Sequence, residues 1–361
     1  MSNFVGHRVK FSPAMLAHLP DEVHGEILVR FPANHDSLLR ASHVCYPWRR
    51  LVKEPDFHRR FRDHYRNSPP LIGVFHNARH KGRRRFIHVG APVAAGIFCC
   101  RKSWWVLGYR HGRVLFLSGR ELILWDPLTH KLEVVLVFSC GSNASVTVYS
   151  SDPSGWSDMV SHHVSEAMCG DVLPERCVVI EKILYQPLSW MYTLSFDLER
   201  RRFEIIGHPT VTKWMGHVIM RLDDGVLGLA VADNDKFELR VYALEARGWV
   251  MRRRLHLNKF KPLSDLAKPG VYTADRLVRV VDACDHGNVI FQHTILGAFL
   301  LNVDSVVLKR LHWDFDPTEW EGTLYPYESF FAPGDGPIQK LEGSIQNLWP
   351  VWSSFSKSDS L

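Results

Sequence analysis

The stretch GRVLFLSGRELILWDPLTHKLEVVLVF, residues 112–138, decides the fold of most of this chain. Short apolar or alternating runs end in Gly, Asp or Pro, which is the pattern of short strands joined by tight turns. The order is strand, turn, strand, a corner at Trp125–Asp126, and then another strand. The stretch therefore predicts an antiparallel β-sheet.

Three further stretches have the same order, and they span residues 170–206, 225–257 and 284–313. Their corners align at Phe196–Asp197, Val241–Tyr242 and Asn302–Val303. An interval of about 45 residues between successive corners fits one propeller blade, and the longer intervals between corners leave room for an extra blade or long loops. The remaining ends, 71–100 and 323–352, can supply a split blade that closes the ring. The repeat predicts a β-propeller of about six blades, within the usual range of ~4–8.

The composition is that of a globular protein. Of the 361 residues, 46% are hydrophobic and 23% are charged, which excludes a disordered, collagen-like or coiled-coil chain. The longest uncharged runs, residues 134–151 and 286–303, contain Gly, Asn, Ser, Gln or His and are typical of two strands and a turn. The N-terminus lacks the apolar core of a signal peptide. We expect a soluble protein with no membrane span.

The chain carries no recognisable metal or catalytic motif. Its seven cysteines include no CxxC pair, which favours reduced thiols in the cytoplasm or nucleus over disulfides or a zinc finger. HExxH, GxSxG, GxGxxG and P-loop motifs are absent. The candidate ligands lack metal-ligand spacing or lie in strands and loops; they are His76, His80, His111, His130, His162, His163 and Cys169. We expect no metal, no cofactor and no catalytic residue.

Positive charge is concentrated near the N-terminus. Residues 1–85 hold 16 Lys and Arg against 7 Asp and Glu, whereas residues 86–361 hold 28 against 31. Residues 79–85, with five Lys and Arg, are either a targeting or nucleic-acid element or a solvated loop between domains. We favour the loop, because no aromatic residues are interleaved with these charges. Arg200–Arg202 and Arg252–Arg254 are expected on exposed turns or blade edges, where charge opposes strand pairing.

The N-terminal segment, residues 19–66, has a helical pattern that the rest of the chain lacks. It opens with LPDEVHGEILVRFP, in which Pro20 suits the first position of a helix. Val23, Ile27 and Phe31 then recur four residues apart and form one apolar stripe. The segment predicts an amphipathic first helix.

Further short helices follow in the same segment. Asp36 or Ser37 can cap the second helix, and Pro47 and Pro55 suit the first turns of the third and fourth. The apolar residues that share faces on these helices are Leu38, Ala41 and Cys45, then Trp48 and Leu51, and then Phe57, Phe61 and Tyr65. So small a module has a thin core, and we expect it to pack against a partner or the next domain.

This helical segment resembles an F-box. The resemblance is carried, in order and with the family spacing, by LPDEVHGEILVRFP (19–32), SLLRASHVCYPWRRLV (37–52), Pro55 and Phe57. FRDHY (61–65), PPLIGVF (69–75) and WDPLT (125–129) are similar to plant, especially cereal, F-box proteins, which carry a propeller-like C-terminal domain. Two residues depart from the pattern. Gly25 replaces the usual leucine or helix former at a cost of ~0.5–1 kcal/mol, and Tyr46 replaces a common lysine.

The resemblance implies a non-catalytic subunit of a Skp–cullin–F-box ubiquitin ligase, in which the F-box docks on a Skp-type adaptor and the propeller holds a protein substrate. The implied adaptor contacts are Leu19, Pro20, Ile27, Leu28, Leu38, Leu39, Val44, Cys45, Trp48 and Leu51. Apolar residues of this kind also build cores, so we expect about half of them to face the adaptor and half the interior. Leu19 and Pro20 are expected at the interface, because they precede the packing of the module itself.

The sequence thus predicts an α+β multidomain chain. Its segments are a flexible N-terminus (1–18), an F-box module (19–66), a junction with a basic loop (67–85), an all-β propeller-like substrate-binding domain (86–352, with 71–76 as a candidate first strand) and a disordered tail (353–361). Two alternatives stay open. One is a nucleic-acid-binding protein that uses residues 79–85, although nucleic acid is not the expected partner, and the other is a propeller enzyme with a helical cap.

Overall fold

The computed structural model contains a helical segment followed by β-sheets. It describes residues 19–31, 35–65, 71–78, 85–88, 104–110, 113–118, 121–125, 133–140, 143–164, 177–189, 191–209, 216–261, 263–264, 278–284, 288–293, 297–310, 322–328 and 338–341. Two compact units divide between Ile72 and Gly73. No helix in the described ranges is long and apolar enough to cross a membrane. The predicted flexible termini, 1–18 and 353–361, and residues 79–84 of the basic loop lie outside the described residues.

Among the described residues, four helices form the N-terminal unit: α1 (Asp21–Val29), α2 (His35–Ser42), α3 (Tyr46–Leu51) and α4 (Pro55–His64). Pro20 is the N-cap of α1 rather than its first residue, and its carbonyl accepts the backbone N–H groups of Val23 and His24 at 3.0 and 3.1 Å. Pro47 and Pro55 lie in the first turns of α3 and α4, where the N–H that proline lacks has no helical partner. The predicted helical module is confirmed.

One apolar cluster forms the core of this unit. Its buried residues are Leu28, Val29, Leu38, Ala41, Trp48, Leu51, Phe57 and Phe61. The Trp48 ring lies edge-on to Phe31, with centroids 5.6 Å apart, and to His24, with centroids 6.4 Å apart. Trp48 therefore joins α3 to both ends of α1.

The predicted stripe on α1 is wrong at Val23, whereas Ile27 and Phe31 pack against the core. The helix buries His24, Leu28 and Val29, whereas Val23 is 40% exposed and Ile27 is half-buried. The apolar pattern alone gave the wrong phase, because His24 packs its ring against Trp48 and so belongs to the interior.

The predicted cap of α2 is also wrong. The helix begins at His35, so Asp36 and Ser37 are helical residues. Cys45 is the N-cap of α3 and does not share the α2 face with Leu38 and Ala41. The helix α3 already includes Tyr46, although the residue before a proline disfavours helical geometry.

The second unit contains six antiparallel sheets in its described residues, which we call blades 1 to 6. Blade 1 contains β1 (Leu71–Ala78), β2 (Arg85–His88) and β22 (Gly322–Glu328); blade 2 contains β3 (Trp104–Arg110), β4 (Arg113–Ser118), β5 (Glu121–Trp125) and β23 (Ile338–Lys340); blade 3 contains β6 (Glu133–Cys140), β7 (Asn143–Ser151), β8 (Ser154–Trp156) and β9 (Val160–His163). Blade 4 contains β10 (Val178–Ile180), β11 (Ile183–Ser189), β12 (Tyr192–Asp197) and β13 (Arg202–Gly207); blade 5 contains β14 (His217–Arg221), β15 (Leu227–Asp233), β16 (Glu238–Glu245) and β17 (Gly248–His256); blade 6 contains β18 (Val278–Ala283), β19 (Asn288–His293), β20 (Gly297–Asn302) and β21 (Val307–Arg310).

These sheets confirm a propeller-like all-β domain. Blades 4, 5 and 6 are four-stranded meanders in chain order, and the long interval after the first corner holds blade 3, as the repeat allowed. One corner of the alignment is wrong: Val241–Tyr242 lies in the middle of β16, at a register shift against β17. Nearly every residue of β15 and β16 is buried, so buried and exposed positions do not alternate along these strands as they do in a strand with one solvated face. The sequence therefore does not show where either strand ends.

The C-terminal strands join the first two blades. β22 pairs with β1 in blade 1, as the predicted split blade requires, and β23 pairs with β5 in blade 2, which the sequence did not predict. Tyr327 on β22 is fully buried, with its ring centroid 5.5 Å from that of Phe75 and 5.8 Å from that of Trp125. β22 also contacts β18 of blade 6 and β3 of blade 2, so it links the last blade to the first two.

Successive blades pack through apolar faces. Blades 5 and 6 share the cluster that contains Leu239 and Phe299, and blades 4 and 5 share the cluster that contains Val178 and Leu229. Similar clusters lie between blades 2 and 3 and between blades 3 and 4. Large side chains between flat sheets explain why a chain with 12 tryptophans and 20 phenylalanines adopts this architecture.

Candidate functional site

The predicted adaptor contacts fall into two groups by burial. Leu28, Leu38, Trp48 and Leu51 are at most 8% exposed and build the core of the helical unit. Ile27 and Cys45 are half-buried, Pro20 is exposed, Leu19 is 36% exposed and Val44 is 52% exposed. Leu39 lies in α2, and its side chain is outside the described part of the structure. The exposed members can contact a partner without unfolding, whereas the buried members shape the unit that presents them.

The structure adds two apolar residues to the exposed group. Val23 is 40% exposed and Tyr46 is 74% exposed. Val23 lies four residues after Leu19, and the corrected phase of α1 turns Val23 away from the core. A prediction that placed His24 and Leu28 on the buried face of α1 would have put Val23 on its exposed face. We call Leu19, Pro20, Val23, Val44 and Tyr46 the exposed apolar set.

Gly25 has a structural reason in this fold. It is buried, and a Cβ at this position would lie 3.0 Å from Nη1 of Arg60. The same Arg60 guanidinium donates to the carboxylate of Glu26. The glycine that weakens the isolated helix therefore gives an α4 arginine room to pair with α1.

Ion pairs connect α1 to the other helices. Arg50 of α3 pairs with Asp21 and also approaches Glu54 at 3.7 Å, and Arg30 pairs with Glu26 at 3.1 Å. All five side chains are about half exposed or more, so each pair contributes roughly 0–1 kcal/mol. Leu19, Pro20 and Val23 of the exposed apolar set lie on or directly before the same helix as these surface ion pairs.

The β unit has a small cavity between blades 3 and 4, with a volume of about 150 Å³. It is lined by Glu133, Val146, Val148, Ser157, Phe196, Leu198 and Arg201. Val146 and Phe196 are buried at 1% and 2% exposure, whereas Glu133 and Arg201 are exposed. The cavity therefore has an apolar floor and a rim that carries one negative and one positive charge.

The arginines at the predicted turn Arg200–Arg202 are held near this cavity. Asp197, at the end of β12, accepts the backbone N–H groups of Glu199 and Arg200, each at 2.9 Å, and pairs with the Arg200 guanidinium at 3.1 Å. These contacts, the Arg200 backbone N–H first, lower the pKa of Asp197. Arg201 has a positive φ of 55° and donates to the backbone carbonyl of Asp158, which fixes its side chain against blade 3.

Blade 5 contains a buried group of charges on its face towards blade 4. Arg240 pairs with Asp233 and, at 3.3 Å, with Glu238, and all three side chains are at most 7% exposed. Burial lowers the pKa of Arg240, but the charge of Asp233 and the hydrogen bond with Glu238 outweigh it, so that the pKa is raised. His256 lies 3.1 Å and Arg254 lies 3.6 Å from Glu238. These ion pairs join β15, β16 and β17 within blade 5.

The histidine candidates for a metal site are dispersed. His76 is buried on β1, whereas His162 and His163 are exposed on β9, where the His162 ring stacks on Phe203 with centroids 5.6 Å apart. His80, His111, His130 and Cys169 lie outside the described residues. Within the described ranges, no three His, Cys, Asp or Glu residues are grouped to hold a metal ion.

Comparison with known proteins supports the assignment of the helical unit. Residues 16–64 match the family model described as F-box-like, and this segment contains all four helices and the exposed apolar set. The N-terminal unit is therefore an F-box-like domain. No curated protein matches the chain.

Two solved structures are distantly similar. A chain from the crystal structure of the mitotic checkpoint complex is 12% identical with a TM-score of 0.31, and the match covers 54% of this chain and 59% of that one. A protein from Lactobacillus plantarum is 15% identical with a TM-score of 0.30, and the match covers 64% of this chain and 72% of that one. The chain thus spans less than two thirds of the first relative, and likeness at this level carries no argument about function.

Proposed function

We propose that this protein is a substrate-recruiting subunit of a Skp–cullin–F-box ubiquitin ligase. The F-box-like domain docks on a Skp-type adaptor, and through that adaptor on a cullin–RING ligase, while the propeller-like domain binds a protein target. The observation that carries the proposal is the exposed apolar set on a folded F-box-like unit, whose members Leu19, Pro20 and Val44 belong to the contacts expected from the family pattern.

The proposed mechanism is proximity and needs no catalytic residue or cofactor. Holding the target and the adaptor on one chain raises the effective concentration of target lysines near the loaded ubiquitin-conjugating enzyme. Such a subunit acts in the cytoplasm, the nucleus or both. The resemblance to plant F-box proteins remains a prediction.

The test is adaptor binding by a double variant, Leu19→Ala with Pro20→Ala. Each buried apolar anchor contributes ~1.5–3 kcal/mol, so we expect binding to weaken by roughly two to four decades in a titration with purified Skp-type adaptor. Val250→Ala is the matched control, because Val250 is a 41% exposed apolar residue on β17 of the other unit. Binding that is undiminished in the double variant would reject the assignment of these two residues.

The same titration separates the alternatives. A chain that never binds the adaptor cannot be a recruiting subunit of this ligase. Salt-steep binding to RNA or DNA, with no adaptor binding, would instead support the nucleic-acid alternative.

A further inference from the structure

We propose that the cavity between blades 3 and 4 binds an extended segment of the target protein in which a bulky apolar residue precedes or follows an acidic residue. This inference rests on the proposed function, because it assigns the target site of the same recruiting subunit. The apolar side chain fills the cavity, and the neighbouring carboxylate pairs with Arg201.

The size and floor of the cavity fit one apolar side chain. A cavity of about 150 Å³ is large enough for a benzene ring, so a leucine or phenylalanine side chain fits on its apolar floor. Its floor is formed by Val146 and Phe196, which are already in place and nearly fully buried. Little side-chain ordering is needed on binding, which favours affinity.

The wall of the cavity is also fixed. Ser157 donates through its backbone N–H to the Val148 carbonyl at 2.7 Å, and its Oγ accepts the Val148 N–H at 3.1 Å. Thr147 Oγ1 donates to the Ser157 carbonyl at 3.0 Å. The Ser157 hydroxyl is thus hydrogen-bonded to the backbone of blade 3. We therefore assign the cavity a role in binding and give Ser157 no role as a nucleophile.

The charges at the rim of the cavity are the reason why we propose an acidic residue beside the apolar residue of the target segment. Arg201 is exposed, and the bond to the Asp158 carbonyl holds its guanidinium at the opening while it keeps further N–H donors for a carboxylate. Arg200 is neutralised by Asp197, so Arg201 supplies the positive charge. Glu133, the other charged residue of the lining, repels a second carboxylate and can accept a peptide N–H. The two charges therefore orient the segment.

An exposed apolar residue lies close in the chain to the wall of the cavity. Met159 is 55% exposed and directly follows Asp158, the residue that holds Arg201. A segment of several residues in extended conformation can cover Met159 while its anchor lies in the cavity. Flexible methionine side chains adapt to varied partners.

The experiment measures peptide binding by the full chain in complex with the Skp-type adaptor. The probes are acetylated, fluorescein-labelled Gly/Ser nonapeptides with a central Leu-Asp pair, with Lys in place of Asp, and with Gly in place of Leu. Fluorescence polarisation should detect binding of the Leu-Asp peptide, with a loss of more than about tenfold when Leu is absent. The Lys peptide should bind about fivefold more weakly.

Two variants test the residues. Arg201→Gln should weaken the Leu-Asp peptide about fivefold and remove the preference over the Lys peptide, whereas Arg202→Gln, an exposed neighbour outside the lining, should change neither. Val148→Trp should fill the cavity and abolish binding of both peptides. If Val148→Trp does not fold, the loss of charge preference in Arg201→Gln still decides the outcome, because Arg201 is exposed.

The proposal is overturned if no peptide binds, if the Leu-Asp and Leu-Lys peptides bind equally well, or if Arg201→Gln behaves as Arg202→Gln does. Adaptor binding is recorded in the same samples. Loss of peptide binding with intact adaptor binding rejects this site alone, whereas failure of the unaltered chain to bind the adaptor rejects the proposed function.

Discussion

The side-chain amide of Asn234 pairs with both backbone polar groups of Val278: its Nδ2 donates to the Val278 carbonyl at 3.1 Å, and its Oδ1 accepts the Val278 N–H at 2.8 Å. Asn77 holds Val106 in the same way, at 2.7 and 3.1 Å. Asn234 follows β15 and Val278 begins β18, whereas Asn77 lies on β1 and Val106 on β3. Each asparagine side chain thus forms the two backbone hydrogen bonds that a residue of a neighbouring strand would form. These bonds join blade 5 to blade 6 and blade 1 to blade 2.

Removing one of these amides should destabilise the β unit. Asn234→Ala leaves the N–H and the carbonyl of the buried Val278 without these partners, so we expect the free energy of unfolding to fall by about 1–3 kcal/mol. Urea denaturation measures the change. Asn258→Ala is the control, because Asn258 is exposed on the 3-10 helix Leu257–Lys259 and its loss should cost less than ~0.5 kcal/mol. Equal stability of the two variants would contradict the role of Asn234.

The buried charges of blade 5 give a second prediction. Arg240→Met removes the buried cation that pairs with the buried Asp233 and Glu238 carboxylates, which should cost about 3–5 kcal/mol. Arg254→Met removes a half-exposed arginine 3.6 Å from the same Glu238 and should cost at most ~1 kcal/mol. Thermal and urea unfolding of both variants check the difference. Similar losses for the two would mean that burial of Arg240 does not control the interaction.

The sequence predicted strands of blades 4 and 6 well because their signals are local. GAFLLN of β20 and YTLSFD of β12 are apolar runs bounded by turn residues, and each became a strand. The strand VSHH of β9 was missed, since it is short, polar and mostly exposed. The pairing of Ile338 with Trp125 was also missed, because the two residues are far apart in the chain and nothing local marks them as partners.

The candidate sites, too, were predictable only where their signal is local in the sequence. The family pattern identified Leu19 and Val44, which are exposed, but the apolar period alone gave α1 the wrong phase and left Val23 out of the exposed set. The cavity was beyond prediction from sequence. Val146 and Phe196 meet only because blades 3 and 4 stack, and no pattern in one strand encodes the space left between two sheets.

The division of the F-box-like unit into core and exposed residues gives a third prediction. Leu28→Ala creates a cavity in the helical core and should lower the stability of this unit by about 2–5 kcal/mol. Val23→Ser, on the outer side of α1, should change stability by less than ~0.5 kcal/mol and still weaken adaptor binding. Helical circular dichroism on heating and an adaptor titration distinguish the two effects. Loss of helical stability in Val23→Ser would show that Val23 belongs to the core.

The pH dependence of stability should report a contact between the turns of blades 5 and 6. Asp304 follows β20 and Asp223 follows β14, and Arg253 of β17 pairs with Asp304 at 2.9 Å. Burial first, and then the hydrogen bond with Asp223 and its charge, raise the pKa of Asp304 above its ordinary value of 3.8, with a smaller contribution from Asp224, while Arg253 opposes the shift. The folded state therefore holds a proton on Asp304 more tightly than the unfolded chain does.

The stabilisation from this proton is present below the unfolded pKa of about 3.9 and is lost as the pH rises through the higher folded pKa. Asp223→Asn removes the neighbouring negative charge and can still donate a hydrogen bond to Asp304, so we expect the variant to be more stable than the unaltered protein at neutral pH. The advantage should shrink as the pH falls towards about 4, because Asp304 of the unaltered protein then becomes protonated. Urea midpoints measured across this range check the prediction, with Asp235→Asn as the control because Asp235 is exposed on the turn between β15 and β16. An advantage that is the same at every pH, or that also appears in the control, would mean that repulsion between Asp223 and Asp304 is not its source.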